Sequence, residues 1–294
     1  MKMFQQFFSF VLLMSGFQRF QALSSPSADL NVEVRPGWKT YLTCPLEAEN
    51  IEWKGPEGCE SHFSSHKTQV LHDVELHCAG VYTCSDAGDP DQTARLHVLV
   101  PGEGSLMVRC QTDSYTNSHL NCSIHEDFLC PCVVTANAYR NGTLSPSITK
   151  HFTSEEVHDM HFPVSIAQVF CAYGEHMEGI HLSVKVMTEK EYWHINTTII
   201  MADIVVPGPP ENGKVTCNQI SWRFPSNWSE SSTFFPLLFL LDLKMRDDRR
   251  VRRLLEGQTN YQIKDVEEFR VQCRDLFSDT SPWSAWSPIF RREC

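Results

Sequence analysis

The chain has 294 residues, and Asp and Glu outnumber Lys and Arg by 36 to 25, for a formal net charge of −11. At roughly 100–150 residues per domain, that length allows two or three domains. The acidic balance argues against nucleic acid and anionic membrane as main partners, and beyond the N-terminal segment no stretch reaches the ~18 apolar residues of a membrane span.

The chain opens "MKMFQQFFSFVLLMSGFQRFQALSS". Lys2, the apolar run from Phe7 to Phe17, and small residues at Ala22 and Ser24 predict a secretory signal peptide over 1–22. Its removal takes Lys2 and Arg19 and no acid, so the mature chain is more acidic still. Twelve cysteines behind such a segment predict disulfides and a secreted, extracellular protein. No membrane insertion is expected. The most apolar later stretch, "FFPLLFLLDL" (234–243), is interrupted by Asp242 and has the length of a strand.

Apolar residues then alternate in short runs broken by Gly, Pro, Asn and Ser: "LNVEV", "RLHVLV", "HLSVKVM", "QISWRF", "EFRVQC". That pattern predicts an all-β chain of sandwich domains. Over 23–102, Cys44 precedes Trp53 and then "AGVYTC", with Tyr82 two residues before Cys84. An inter-sheet disulfide, a core tryptophan and a tyrosine corner in that order predict an immunoglobulin-like sandwich with a Cys44–Cys84 bridge. Cys59 and Cys78 remain in the same domain and can form a second bridge.

"VPGEGS" (100–105) breaks the pattern, and a second β domain is expected over 103–205. Asn141 and Asn196 are expected glycan acceptors, as is Asn227 further on. Asn121 also matches the acceptor pattern, weakened by Cys122 at its middle position. One cysteine of the "CPC" pair, Cys130 or Cys132, is expected to bond Cys171. The other is odd, and an odd cysteine in a secreted protein points to an interchain link.

"VVPGPPENG" (205–213) predicts a stiff extended linker to a third domain over 206–294. There Ile220, Trp222 and Phe224 share one strand face. Phe269, Val271 and Cys273 share another, which turns Arg270, Gln272 and Arg274 outward. Cys217 and Cys294 are expected to pair, because the strands they follow can run parallel and end at one pole. "MRDDRRVRRLLEG" (245–257) holds Arg246, Arg249, Arg250, Arg252 and Arg253, and predicts a basic loop island able to hold heparin-like glycans.

Catalysis finds little support. "HDMH" (158–161) lacks metal-site spacing, and no G-x-S-x-G, H-E-x-x-H or phosphate loop occurs. No cofactor is expected.

The last stretch is "DTSPWSAWSPIFRREC". Trp283 and Trp286 each precede a serine, Ser284 and Ser287, and can stack on the outward arginines of the preceding strand. "WSAWS" resembles the Trp-Ser-x-Trp-Ser signature of class I cytokine receptor domains, whose tryptophans interleave with arginines. Gln272 departs from that ladder. The resemblance implies two fibronectin type III domains after the immunoglobulin-like one.

The domain order resembles two groups, interleukin-6-type receptor α chains and the secreted receptor-like β subunits of the interleukin-12 and interleukin-23 type. The absence of a membrane segment, together with "TTIIMADIVVPGPPENG" and "ISWRFPSNWS", favours the second. It implies a subunit that binds a four-helix cytokine α subunit, the pair then acting on cell-surface receptor chains in immune signalling. It implies a Cys110–Cys122 bridge, and Cys273, facing the core where the family usually has a small residue, is expected to be a buried free thiol. The family links its partner covalently from the second domain, but "AYGEHMEG" lacks the family's cysteine. Either Cys130 or Cys132 substitutes, or the link is absent. At the elbow between second and third domains the resemblance assigns Asp275 as the acid that receives a partner arginine, outside the core. Around it stand Tyr115, Phe277, and Phe234 or Phe235.

Overall fold

The computed structural model describes residues 29–59, 65–124, 131–140, 142–153, 160–167, 179–228 and 235–292. Strands follow the short alternating runs. The first sandwich holds β1 (Asp29–Glu33), β2 (Thr40–Thr43), β3 (Ile51–Lys54), β4 (Thr68–Leu71), β5 (Gly80–Asp86) and β6 (Asp89–Pro101). β3, β5 and β6 pair in that order with β1 parallel to β6, and β2 pairs β4. Cys44–Cys84 joins the layers, and Trp53 stands directly across from Cys84 in the core. Tyr82 O–H donates to the Cys78 carbonyl (2.9 Å), and burial pushes its phenol up to about 12. These are the expected parts of an immunoglobulin-like sandwich.

The second sandwich holds β7 (Val108–Gln111), β8 (His119–Ile124), β9 (Cys132–Arg140), β10 (Thr143–Leu144), β11 (Ile148–Phe152), β12 (Met160–Ser165), β13 (Gly179–Met187) and β14 (Glu191–Ile200). One layer is β12-β8-β7; the other is built on β9, β13 and β14. That larger layer is continuous with the first sandwich, because β14 pairs β6 through Glu191↔Val100 and Tyr192↔Pro101. Glu33 adds an ion pair with Lys185 and a hydrogen bond with His194 (3.2 Å). Gly102 marks a close approach there: a Cβ would lie 2.0 Å from the Trp193 ring. "VPGEGS" is thus a packed corner rather than a loose tether.

A one-turn helix, Met201–Ile204, precedes the proline-rich linker. The third sandwich follows with β15 (Glu211–Val215), β16 (Gln219–Arg223), β17 (Leu237–Met245), β18 (Arg250–Glu256), β19 (Asn260–Gln262), β20 (Val266–Asp275) and β21 (Phe290–Arg291), in layers β15-β16-β19 and β18-β17-β20-β21. In β17 the period of two sends Leu237, Phe239, Leu241 and Leu243 into the core. Phe269, Val271 and Cys273 of β20 stand beside them on the same face, and Ile220 and Trp222 meet them from β16 in the opposite layer. Among the described residues no helix is long and apolar enough to cross a membrane.

Candidate functional site

After β20 the chain runs back along that strand with no strand pairing of its own until Phe290. Ser278, Ser281, Ser284 and Ser287 fall at every third position and all are buried. A path of three residues per turn puts such positions on one face. Ser284 N–H donates to the Cys273 carbonyl (2.7 Å), and Cys273 N–H returns to Ser284 Oγ (3.0 Å). Ser287 and Val271 repeat the exchange at 2.9 and 3.0 Å. The serines therefore replace a neighbouring strand, bonding the β20 backbone from side chain and main chain together.

The tryptophans occupy another face. The Arg274 guanidinium stacks over Trp283 at 5.1 Å and that of Arg270 over Trp286 at 4.5 Å. Gln272 stands between them without a cation–π contact, so the ladder lacks its middle rung. Arg270 also donates to Asp242 (2.9 Å), whose side chain is 3% exposed and is shared with Arg250 (3.1 Å). This motif is scaffold. It stiffens the strand that ends at the elbow.

Asp275 is that strand's last residue and is 0% exposed. Tyr115 O–H, from the turn between β7 and β8, donates to its Oδ2 at 2.5 Å, and Phe277 N–H donates to its Oδ1 at 2.6 Å. Burial first, and the Asp275 carboxylate second, hold the Tyr115 phenol far above its ordinary range. The Tyr115 ring stacks on Phe235 (4.4 Å between centroids) and meets Trp228 edge-on (5.6 Å). Trp228 Nε1–H donates to the Phe235 carbonyl (2.9 Å). From the one-turn helix, Asp203 accepts Ser278 Oγ (2.6 Å) and Thr280 Oγ1 (2.8 Å). The linker adds Val206 N–H to the Thr112 carbonyl (2.7 Å) and Thr112 N–H to the Ile204 carbonyl (3.1 Å). Second sandwich, linker and third sandwich thus share one polar network around one aromatic cluster.

This geometry corrects the surface picture drawn from the sequence. Tyr115 is 5% exposed and forms the floor of the elbow rather than its face, while Phe235, at 1%, is the inward-facing member of the 234/235 pair. Asp275 lies inside the core instead of outside it, because a phenol and a backbone amide supply the hydrogen bonds that water otherwise gives a carboxylate. Phe277, 55% exposed, does face outward. Phe234 lies outside the described residues. Asp203, Trp228 and Ser278 escaped sequence reasoning as elbow residues, although the period of three in the serines was visible.

No family model matches the chain. It aligns along its length with proteins named interleukin-12 subunit beta. That of Sigmodon hispidus is 22% identical with 96% of each chain covered; that of Mesocricetus auratus is 23% identical, again with 96% of each covered. That of Ovis aries is 23% identical with 86% of each covered. The chain resembles the interleukin-12 beta subunits. At this identity the interleukin-12 beta likeness speaks to the overall plan, and the individual side chains are read from this structure.

The cysteines follow the expected bookkeeping wherever the structure describes both partners. Cys44–Cys84, Cys59–Cys78 and Cys110–Cys122 are bonded. Cys132 is buried with its sulfur 3.5 Å from Met160 Sδ, so it does not turn toward a second chain. Cys130 and Cys171 lie outside the described residues. Val215 bridges Arg292 in parallel, which brings the end of the chain alongside exposed Cys217; Cys294 itself lies outside the described residues. Cys273 is a buried free thiol, pushed up to about 12 by burial.

Asn196 is exposed on β14 and Asn121 on β8, whereas Asn141 is outside the described residues. The basic island is a strand, β18, rather than a loop. Asp248, at φ +61°, closes a tight turn before it, and the register with β17 continues to Glu256. Arg249 pairs with Asp247 (2.6 Å) and Arg250 with Asp242 (3.1 Å), which leaves Arg252 and Arg253 as the arginines of this strand without an ion pair among the described residues.

Proposed function

We propose that this chain is a secreted, non-catalytic subunit that binds a four-helix-bundle cytokine α subunit through its elbow, and that the pair acts on cell-surface cytokine receptor chains. The observation that carries the proposal is the conjunction at one bend of a buried acid, Asp275, and an exposed aromatic, Phe277, two residues on. A partner helix bearing an arginine amid apolar residues fits that pair. The apolar residues cover the Phe277 ring. The guanidinium competes with the Tyr115 hydroxyl for the carboxylate, and a cation with two parallel N–H donors holds it more strongly than a single neutral O–H donor. The end-to-end likeness to chains named as interleukin-12 beta subunits supports the same reading. Three disulfides among the described residues suit an extracellular setting.

Two finer features belong to the proposal. With Cys132 buried, Cys130 is the candidate for a covalent link to the partner, and a heterodimer that separates on a non-reducing gel would remove it. Arg252 and Arg253 are the candidates for holding sulfated glycans. Retention on heparin should fall when both become Ser and when salt is raised; equal elution of variant and parent would remove that assignment. The main proposal is tested by co-expression with candidate four-helix subunits. The expected result is that one of them leaves the cell in a complex with this chain, and that Phe277→Asp abolishes the complex while the chain is still secreted. Secretion of the chain alone beside every candidate would overturn it.

A further inference from the structure

The turn after β16 carries Asn227. Its backbone is fixed by Trp228 N–H donating to the Pro225 carbonyl (3.1 Å) and by Ser226 N–H donating to Glu211 Oε1 (3.0 Å). Its side chain then reaches out of the third sandwich. Asn227 Oδ1 accepts the Gly208 N–H of the linker at 2.8 Å, and Asn227 Nδ2 donates to the Asp113 carbonyl of the second sandwich at 3.1 Å. One carboxamide therefore holds three parts of the molecule together. The linker leaves it little competition: Pro207, Pro209 and Pro210 have no N–H, so Gly208 carries the one backbone donor between Val206 and Glu211. Val206 N–H is spent on Thr112. Gly208 must be a glycine for the approach to happen, since a Cβ there would lie 2.7 Å from Asn227 Oδ1.

Asn227 also opens the sequence Asn-Trp-Ser, an acceptor pattern for N-linked glycans. The two uses draw on the same nitrogen. A glycan attaches at Nδ2 and makes a planar secondary amide that prefers the trans form. The sugar replaces one of the two Nδ2 hydrogens and has to find room beside the Asp113 carbonyl that Nδ2 already holds at 3.1 Å. We propose that Asn227 is a clasp: in the folded chain its carboxamide carries no glycan and sets the angle between the second and third sandwiches. Asn196 and Asn227 are both exposed, but Asn196, on β14, shows no side-chain hydrogen bond among the described residues and is the internal comparison. The clasp holds whether or not the elbow binds a cytokine, so its test needs no partner.

The full chain is secreted from mammalian cells and treated with peptide N-glycosidase in ¹⁸O-water, which turns each glycosylated Asn into ¹⁸O-labelled Asp. Mass mapping should find Asn227 unlabelled; label at Asn227 in most of the folded protein would overturn the proposal. Hydrogen exchange of the peptide spanning 206–213 then reads the clasp itself. Ser229→Ala, which removes the acceptor pattern alone, should exchange as the parent does. Asn227→Ala should exchange roughly tenfold faster, the change in local opening expected when one hydrogen bond is lost. Asn227→Asp separates the two bonds. Its carboxylate still accepts Gly208 N–H, so linker protection should stay, but it cannot donate to Asp113, so small-angle scattering should show the same altered interdomain angle as Asn227→Ala. If Asn227→Ala is not secreted, Asn227→Asp alone decides. Parent-like exchange in Asn227→Ala, or a parent-like angle in Asn227→Asp, would overturn the clasp.

Discussion

Asp275 keeps its place at 0% exposure through two donors that come from different parts of the chain, the Phe277 amide nearby and the Tyr115 hydroxyl 160 positions away. Asp275→Ala would strand both donors in a buried site. Each unsatisfied group costs about 1–3 kcal/mol, so the third sandwich should unfold several degrees earlier by calorimetry; an unchanged midpoint would mean that water replaces the carboxylate. The sequence allowed Asp275 to be singled out by local match, but its burial rests on a contact across domains that no local pattern records. Cys273 was the opposite case, legible because alternation along "FRVQC" sends it inward with Phe269 and Val271. Burial pushes its thiol up to about 12, so at pH 8 it stays neutral, and the thiolate is the reactive form. Iodoacetamide should spare it in the native chain and label it on unfolding. The sign for stability follows: the folded thiol's raised value favours the native state below the unfolded thiol's range, and that contribution is lost as pH rises toward 12.

The segment from Ser278 to Ser287 shows an element that secondary-structure patterns miss. It has neither the period of a helix nor that of a strand, yet its period of three buries four serines, of which Ser281, Ser284 and Ser287 bond the β20 backbone. The tryptophan spacing and the arginines of β20 were readable because cation–π stacking needs only alternation on the strand and matching indoles. The gap at Gln272 was readable too, and it makes a prediction. Gln272→Arg would set a guanidinium between Trp283 and Trp286 and should stabilise the third sandwich by about 0.5–1 kcal/mol, seen as a higher thermal midpoint. A midpoint at or below the parent's would show that the outer rungs leave no room for it. β18 was not readable as a strand. Its residues are mostly exposed, so arginines at neighbouring positions hide the alternation that Val251 and Leu255 alone carry.

At the scale of the molecule, the first two sandwiches share a sheet through β6 and β14, while the second and third meet at an elbow of hydrogen bonds and stacked rings. The three-sandwich plan was legible in the cysteine, tryptophan and proline punctuation. The shared sheet was not, because two residue pairs in parallel leave no mark on composition. What the elbow exposes is Phe277, and the immunoglobulin-like sandwich offers a comparison of the same kind in Trp38, which is 60% exposed beside Arg35. Both can be truncated without opening a core. The dissociation constant of the chain for the proposed four-helix subunit, measured for parent, Phe277→Ala and Trp38→Ala, therefore tests the elbow most directly. Phe277→Ala should weaken binding at least about tenfold, the loss expected of a central aromatic contact, with Trp38→Ala unchanged. A parent-like constant for Phe277→Ala, with the loss falling on Trp38→Ala instead, would place the partner on the first sandwich and contradict the account.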